Sequence, residues 1–232
     1  MAGNFVESFD HGVGALTHIW GNARIDTGTP GQVTITGPGG MMERPSGDSA
    51  GHGYGSYSVV ASIAGDAQGP AALLWPGNDR WPGPEYDILE VLNGRPYGTV
   101  HFRGDDGGDG YTSVFFDGID ESQVHTYTLD WQPGSISYYV DGNPMGTVTK
   151  RVGADHAHGG INEVFGLMNT NWHTSMTVYE VSYKPMAEAE AWSPPVAVGA
   201  GVAVSVDAGP IDWNALAAVV LANFDATGQW FY

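Results

Sequence analysis

Three carboxylates fall within the six residues Glu85-Tyr86-Asp87-Ile88-Leu89-Glu90. The run from Tyr86 to Leu92 is otherwise apolar enough for a sheet interior, where an acid is costly unless it is paired or used. On a regular strand Glu85 and Asp87 share a face and Glu90 points to the other. A single β-bulge at Ile88 or Leu89 brings Glu90 back, and bulges recur beside active sites because they re-aim a side chain. Glu-x-Asp-x-x-Glu then reads as three carboxylates on one concave surface. Such a row suits glycoside hydrolysis, whose retaining form needs two carboxyls about 5–5.5 Å apart, one as nucleophile and one as general acid and then base. Two glutamates can converge to that separation. The shorter Asp87 between them can hold one rotamer and help separate their pKa values. The spacing alone leaves two other readings open, a polar strand face with incidental acids and a cation site.

Such a strand needs a sheet around it. Thirty-five Gly, 14 Pro and 12% aromatic residues, with only 15% charged, describe many short strands joined by tight turns. The expectation is one large all-β domain. Tyr57, Val59, Ala61 and Ile63 alternate with Ser56, Ser58 and Ser62, the period-2 pattern of a half-buried strand. Tyr127, Leu129 and Trp131 do the same, Gln132-Pro133-Gly134 turns the chain, and Ile136, Tyr138 and Val140 resume before Asp141-Gly142. Met176, Val178 and Val181 predict one more strand. After Pro185 the composition shifts, so residues 1–185 form the predicted β domain and residues 186–210, rich in Ala, Val, Gly and Pro, a linker or arm. In residues 211–232, Trp213, Leu216, Val220 and Phe224 take helical spacing behind Asp212 as cap, which predicts a short C-terminal helix.

Charge and composition also exclude. The formal net charge is −18 and the few basic residues are scattered, which excludes nucleic acid and disfavours anionic membrane surfaces as partners. No apolar run approaches the roughly 20 residues of a spanning helix. Without cysteine there is no disulfide framework, thiolate nucleophile or Cys-based zinc site. Met1-Ala2-Gly3-Asn4 lacks the charged start and apolar stretch of a secretory leader.

The residues also carry a resemblance. Glu85-Tyr86-Asp87-Ile88-Leu89-Glu90 resembles the active-site motif of glycoside hydrolase family 16 in its bulged, laminarinase-like form. Tyr54-Gly55-Ser56-Tyr57 is similar to the strand upstream of that motif, and Trp81-Pro82 to its lead-in. His125 to Trp131 with Ile136 to Gly142 is similar to the family's later hairpin, so the likeness spans roughly residues 5–184. It implies a concanavalin-like β-jelly-roll sandwich of two antiparallel sheets with a concave sugar-binding cleft, and retention of configuration. By position it implies Glu85 as nucleophile, Glu90 as general acid/base and Asp87 as the assisting acid. His101, in Thr99-Val100-His101-Phe102, resembles a family histidine near the acid/base.

Sugar rings stack their C–H faces on flat indoles, so carbohydrate clefts are rich in Trp. Trp75 and Trp81 flank the carboxylates and are the subsite candidates, and Trp172 resembles another family cleft position. Trp131 is assigned to the core. Trp20 is a candidate wall for one end of the cleft, Asn22 and Asn93 are polar candidates, and Arg80 or Arg103 is a candidate to offset the negative field locally. No cofactor is required by this chemistry and no metal site is assigned. Family members often hold a structural calcium through an Asp in the final strand, but Tyr179 stands in the matching place. The loop Asp105-Asp106-Gly107-Gly108-Asp109-Gly110 reads as a solvated acidic turn, and His156 with His158 as an ordinary surface loop.

The leading expectation is a retaining endo-glycosidase that hydrolyses internal β-1,3 or mixed β-1,3/1,4 linkages of a glucan, acting as a secreted monomer on a polysaccharide. The alternatives are a transglycosylase, a galactan-type hydrolase resembling agarases and carrageenases, and a non-catalytic carbohydrate-binding lectin. Two glutamates crowded at one point argue against the lectin, because binding alone has no use for them.

Overall fold

The computed structural model describes residues 3–186, and they form two antiparallel sheets packed face to face. The first sheet holds β1 (Phe5–Glu7), β3 (Arg24–Asp26), β4 (Val33–Thr36), β6 (Gly55–Ala64), β11 (His125–Gln132), β12 (Ser135–Val140), β13 (Asn143–Val148) and β15 (Ser175–Pro185). Its order is β13-β12-β11-β6-β15-β4-β3, with β1 also paired to β15. The second holds β2 (His18–Gly21), β5 (Gly39–Met42), β7 (Ala71–Pro76), β8 (Glu85–Leu92), β9 (Arg95–Arg103), β10 (Asp109–Phe115) and β14 (Glu163–Asn169), in the order β10-β9-β8-β7-β14-β5-β2. A 3₁₀ turn at His156–His158 is the only helical element among the described residues. The predicted C-terminal helix, and the linker beyond Met186, lie outside the described residues.

The alternating strands of the sequence are present because each buries one face only. Tyr57, Val59, Ala61 and Ile63 of β6, with Tyr127, Leu129 and Trp131 of β11, point into the space between the sheets. Trp131 sits at the centre of that core, edge-on to Tyr54 and Tyr86 at 5.0 and 5.2 Å, and its indole N–H donates to Gly153 O. From the second sheet Ala72, Leu74, Tyr86, Ile88, Leu89, Val91, Val100, Phe165 and Leu167 join the same core.

The other face of the second sheet is apolar too. Trp20, Met42, Ala71, Leu73, Trp75 and Val164 form a separate cluster there, with Trp81 and Met168 packed against it. Strands β5 and β7 are therefore buried on both sides and show no alternation in sequence, as Gly-Gly-Met-Met and Ala-Ala-Leu-Leu-Trp-Pro. This face carries the three carboxylates.

Candidate active site

The predicted bulge lies in β8. Against β9, Glu85 pairs with His101, Asp87 with Thr99 and Glu90 with Tyr97, so Ile88 and Leu89 together stand opposite Gly98. Against β7, Asp87 pairs with Leu73 and Leu89 with Ala72, which leaves Ile88 without a partner. The extra residue sends two consecutive apolar side chains, Ile88 and Leu89, into the core and returns Glu90 to the face of Glu85 and Asp87. Gly98 has no room for a side chain there, since a Cβ would meet the Tyr138 ring at 2.2 Å.

The neighbouring strand holds the carboxylates in place. Thr99 Oγ1 donates to Glu90 Oε2 at 2.7 Å and Tyr97 Oη donates to Glu90 Oε1 at 3.1 Å, while Thr99 also meets Ser113 Oγ on β10 at 3.0 Å. His101 stands between two acids. Its Nε2 lies 3.3 Å from Asp87 Oδ2, and its Nδ1 lies 3.0 and 3.1 Å from the two oxygens of Asp109. Tyr97, Thr99 and Asp109 escaped the sequence reading. The first two were accessible from pairing across the Asn93-Gly94 turn, because Tyr97, Thr99 and His101 alternate onto one face. Asp109 lies in the run that reads as a solvated acidic turn, whereas it opens β10 and its side chain reaches back to His101.

Burial governs the protonation of this row. Burial first, and the adjacent Asp87 charge second, raise the Glu90 carboxyl to about 8, against the lowering pull of His101, Thr99 and Tyr97. The same two causes, in the same order, push Glu85 well above the usual carboxylate range, and His101 again pulls it down. For His101, burial works against the charged ring. The hydrogen bonds to Asp109 and Asp87 and the charges of Asp87 and Glu85 overcome it and hold the imidazole pKa well above its ordinary value. The arrangement can therefore keep a proton on one glutamate at neutral pH beside a charged partner.

Asp87, Glu90 and His101 each bring a donor atom within 4.8 Å of the others, near enough for a cation. However, Glu90 accepts hydroxyl protons on both oxygens, and His101 turns both ring nitrogens to carboxylates. Glu90 with Tyr97 and Thr99, and His101 with Asp87 and Asp109, form two hydrogen-bonded groups side by side.

The structure brings Trp75 and Trp81 to the carboxylates. Their rings stack at 5.6 Å with 13° between planes, Trp75 Nε1 donates to Asp79 Oδ1 at 2.7 Å, and Trp81 stands 5.4 Å from the His101 ring. Trp20 joins the same outer face at the β2 edge of the sheet. Trp172 is 57% exposed and lies over Gly37, where a Cβ would meet its ring at 2.5 Å. Asn93 is not brought to the site. It occupies the two-residue turn between β8 and β9 with φ 52°, followed by Gly94 at φ 67°, a geometry Asn and Gly adopt readily. Asn22 is tied to the β2–β3 turn, where its N–H donates to Pro38 O. Arg80 is exposed and lines a cavity of about 370 Å³ with Pro82, Phe102, Arg103 and Arg151. His158 is spent on Asp155, at 2.6 Å.

Comparison with known proteins agrees with this geometry. The family model described as Glycosyl hydrolases family 16 matches residues 19–184. A beta-glucanase of Bacillus amyloliquefaciens is 32% identical over 106 residues, covering 44% of this chain and 44% of its own, so the chain spans less than half the length of that relative. Among solved structures, a β-1,3-1,4-glucanase (lichenase) from a mouse hindgut metagenome superposes with a TM-score of 0.60 at 17% identity, over 80% of this chain and all of its own. The Crh5 transglycosylase superposes with a TM-score of 0.55 at 17% identity, over 80% and 85%. At these identities the two structures speak for the jelly-roll fold.

Proposed function

This chain belongs to glycosyl hydrolases family 16, and from that premise we propose that it is a retaining endo-glycosidase cutting internal β-1,3 or mixed β-1,3/1,4 bonds of a glucan outside the cell. The observation that carries the reading is the bulge of β8, which sets Glu85, Asp87 and Glu90 opposite alternate residues of β9, on the one face that stacked indoles also line.

In the first half-reaction the ionised Glu85 attacks the anomeric carbon, the glycosidic C–O bond breaks, and Glu90 gives its proton to the departing oxygen. A glycosyl ester on Glu85 results. In the second half, Glu90 as base takes a proton from water, whose oxygen attacks the same carbon and releases Glu85 as carboxylate. Both glutamates are then as they began. Burial raises both glutamates, which suits the pair to hold one proton at neutral pH, and Thr99 and Tyr97 aim the oxygens of Glu90. Asp87 adds negative charge between the two glutamates, which discourages both from ionising together. Trp81 offers flat apolar surface to a sugar ring, backed by the buried Trp75 stacked against it.

The test is a panel of laminarin, lichenan, barley β-glucan, agarose and carrageenan, with new reducing ends measured for the parent and for Glu85→Gln. Reducing ends from laminarin, lichenan or β-glucan that vanish in the variant support the reading. Release from agarose or carrageenan alone overturns the substrate class. Binding without release in the parent overturns hydrolysis, and products longer than the substrate mark transfer to a sugar hydroxyl.

A further inference from the structure

His101 is a buried ring with a carboxylate at each nitrogen, 3.3 Å away at Nε2 and 3.0 Å away at Nδ1. A neutral imidazole has one N–H and one lone pair, so it satisfies only one ionised carboxylate. Either an acid takes a proton or the ring does. Asp109 opens the edge strand β10 with its side chain 31% exposed, so water stabilises its ionised form, while the Asp87 side chain is 4% exposed. Both oxygens of Asp109 lie within hydrogen-bond range of the same nitrogen, which fixes the ring plane as well as the proton.

We propose that Asp109 is a positioning residue that holds His101 as a doubly donating imidazolium, so that Asp87 stays ionised and the two glutamates feel a fixed positive charge beside them. The inference rests on the glycosidase reading for its catalytic consequence, but the protonation state itself does not. The surroundings on every side are consistent with a cation. From β8 come Glu85, in register with His101, then Asp87 and Glu90. From β10 come Asp109 and Tyr111, the latter 5.9 Å away ring to ring, and from the loop before β8 comes the Trp81 ring at 5.4 Å. Arg103, two residues along β9 on the same face and in register with Asp109, is the nearest cation in sequence and is exposed. The mechanistic consequence is that the imidazolium lowers the proton affinity of Glu85 and Glu90 against the burial that raises it.

Asp109→Asn keeps a carbonyl acceptor for Nδ1–H and removes the charge. Histidine side-chain ¹⁵N spectra across pH, with the His101 signal assigned by its loss in His101→Gln, read the ring directly and need no substrate. The expected result is two protonated ring nitrogens up to pH 8 in the parent and a midpoint lower by about one unit or more in Asp109→Asn, the shift that losing one charge-assisted partner produces. With it, the kcat/KM profile on the cleaved polymer moves to higher pH across the range in which His101 loses its proton, and KM stays within about threefold. Asp109→Glu restores the midpoint in part. A His101 that is neutral at pH 7 in the parent, or titrates identically in Asp109→Asn, overturns the proposal. So does a variant that loses kcat equally at every pH. If the spectra behave as expected but no polymer is cleaved, the glycosidase reading fails while the role of Asp109 stands.

Discussion

The register of β8 makes one perturbation unusually decisive, the deletion of Ile88. Removing that residue joins Asp87 to Leu89 and gives the run Glu-Tyr-Asp-Leu-Glu-Val, in which strict alternation puts all three acids on one face and Tyr, Leu and Val in the core. Every other pairing survives. Leu89 can still meet Ala72 and Glu90 can still meet Ala71 and Tyr97, because Ile88 alone lacks a partner on β7. What is lost is a side chain 1% exposed within the core, a removal that costs about 2–5 kcal/mol, offset in part by a straighter ladder. A net loss of about 3 kcal/mol lowers the melting temperature by about 6–12 °C in a domain of this size. Turnover is expected to stay within about tenfold of the parent, which corresponds to less than about 1.4 kcal/mol of transition-state stabilisation. Deleting Ile88 and Leu89 together turns Glu90 to the opposite face and should abolish turnover. The assay is reducing-end release at a temperature where circular dichroism shows each variant folded. A folded single deletion as inactive as Glu85→Gln would refute the idea that the bulge acts by matching faces.

Two further outcomes follow from buried groups. Gly98→Ala drives a Cβ into the fully buried Tyr138 ring and should cost about 1–3 kcal/mol in urea unfolding, with a drop in kcat because β9 carries the Tyr97 and Thr99 that hold Glu90; an unchanged midpoint refutes the clash. Glu163 is fully buried with neither oxygen hydrogen-bonded among the described residues, and burial first, then the Glu85 charge, push its pKa well above the usual range. A raised native pKa gives stability that is complete below the unfolded value of about 4.3 and is lost as pH rises towards the native value, at up to about 1.4 kcal/mol per pH unit. Glu163→Gln should therefore gain on the parent as pH rises from 4.5 to 8 in denaturant unfolding, and parallel curves would refute it.

The parts of this molecule legible in the sequence are those that bury one face. Strands β6, β11, β12 and β15 announce themselves by alternation, and the carboxylate strand by acids set in an apolar run. Strands β5 and β7 are covered on both sides, so their sequences carry no period to read. Asp109 was hidden for another reason. Its place depends on which side chain of the neighbouring strand it reaches, and seven Gly and Asp residues in a row look like a turn whatever lies beside them. Asn93 misled in the opposite sense. A polar side chain three residues past Glu90 looked available to a sugar, yet Asn-Gly between two strands is first a turn, and the turn claims it.

The charge of the site also bears on the substrate. Four carboxyls, Glu85, Asp87, Glu90 and Asp109, stand around one imidazole, so the site adds to the negative charge of a chain already at −18. An oxocarbenium-like transition state gains positive charge at the anomeric carbon, so that excess is attractive to it and indifferent to a neutral hexose in the ground state. A sulfated or carboxylated sugar at the same point meets repulsion. Of the arginines that could relieve it, Arg151 is already paired with Asp105 at 2.8 Å, while Arg80 and Arg103 are exposed and Arg103 stands in register with Asp109. For the proposed glycosidase, that excess of negative charge is the electrostatic argument for a neutral glucan over an anionic galactan.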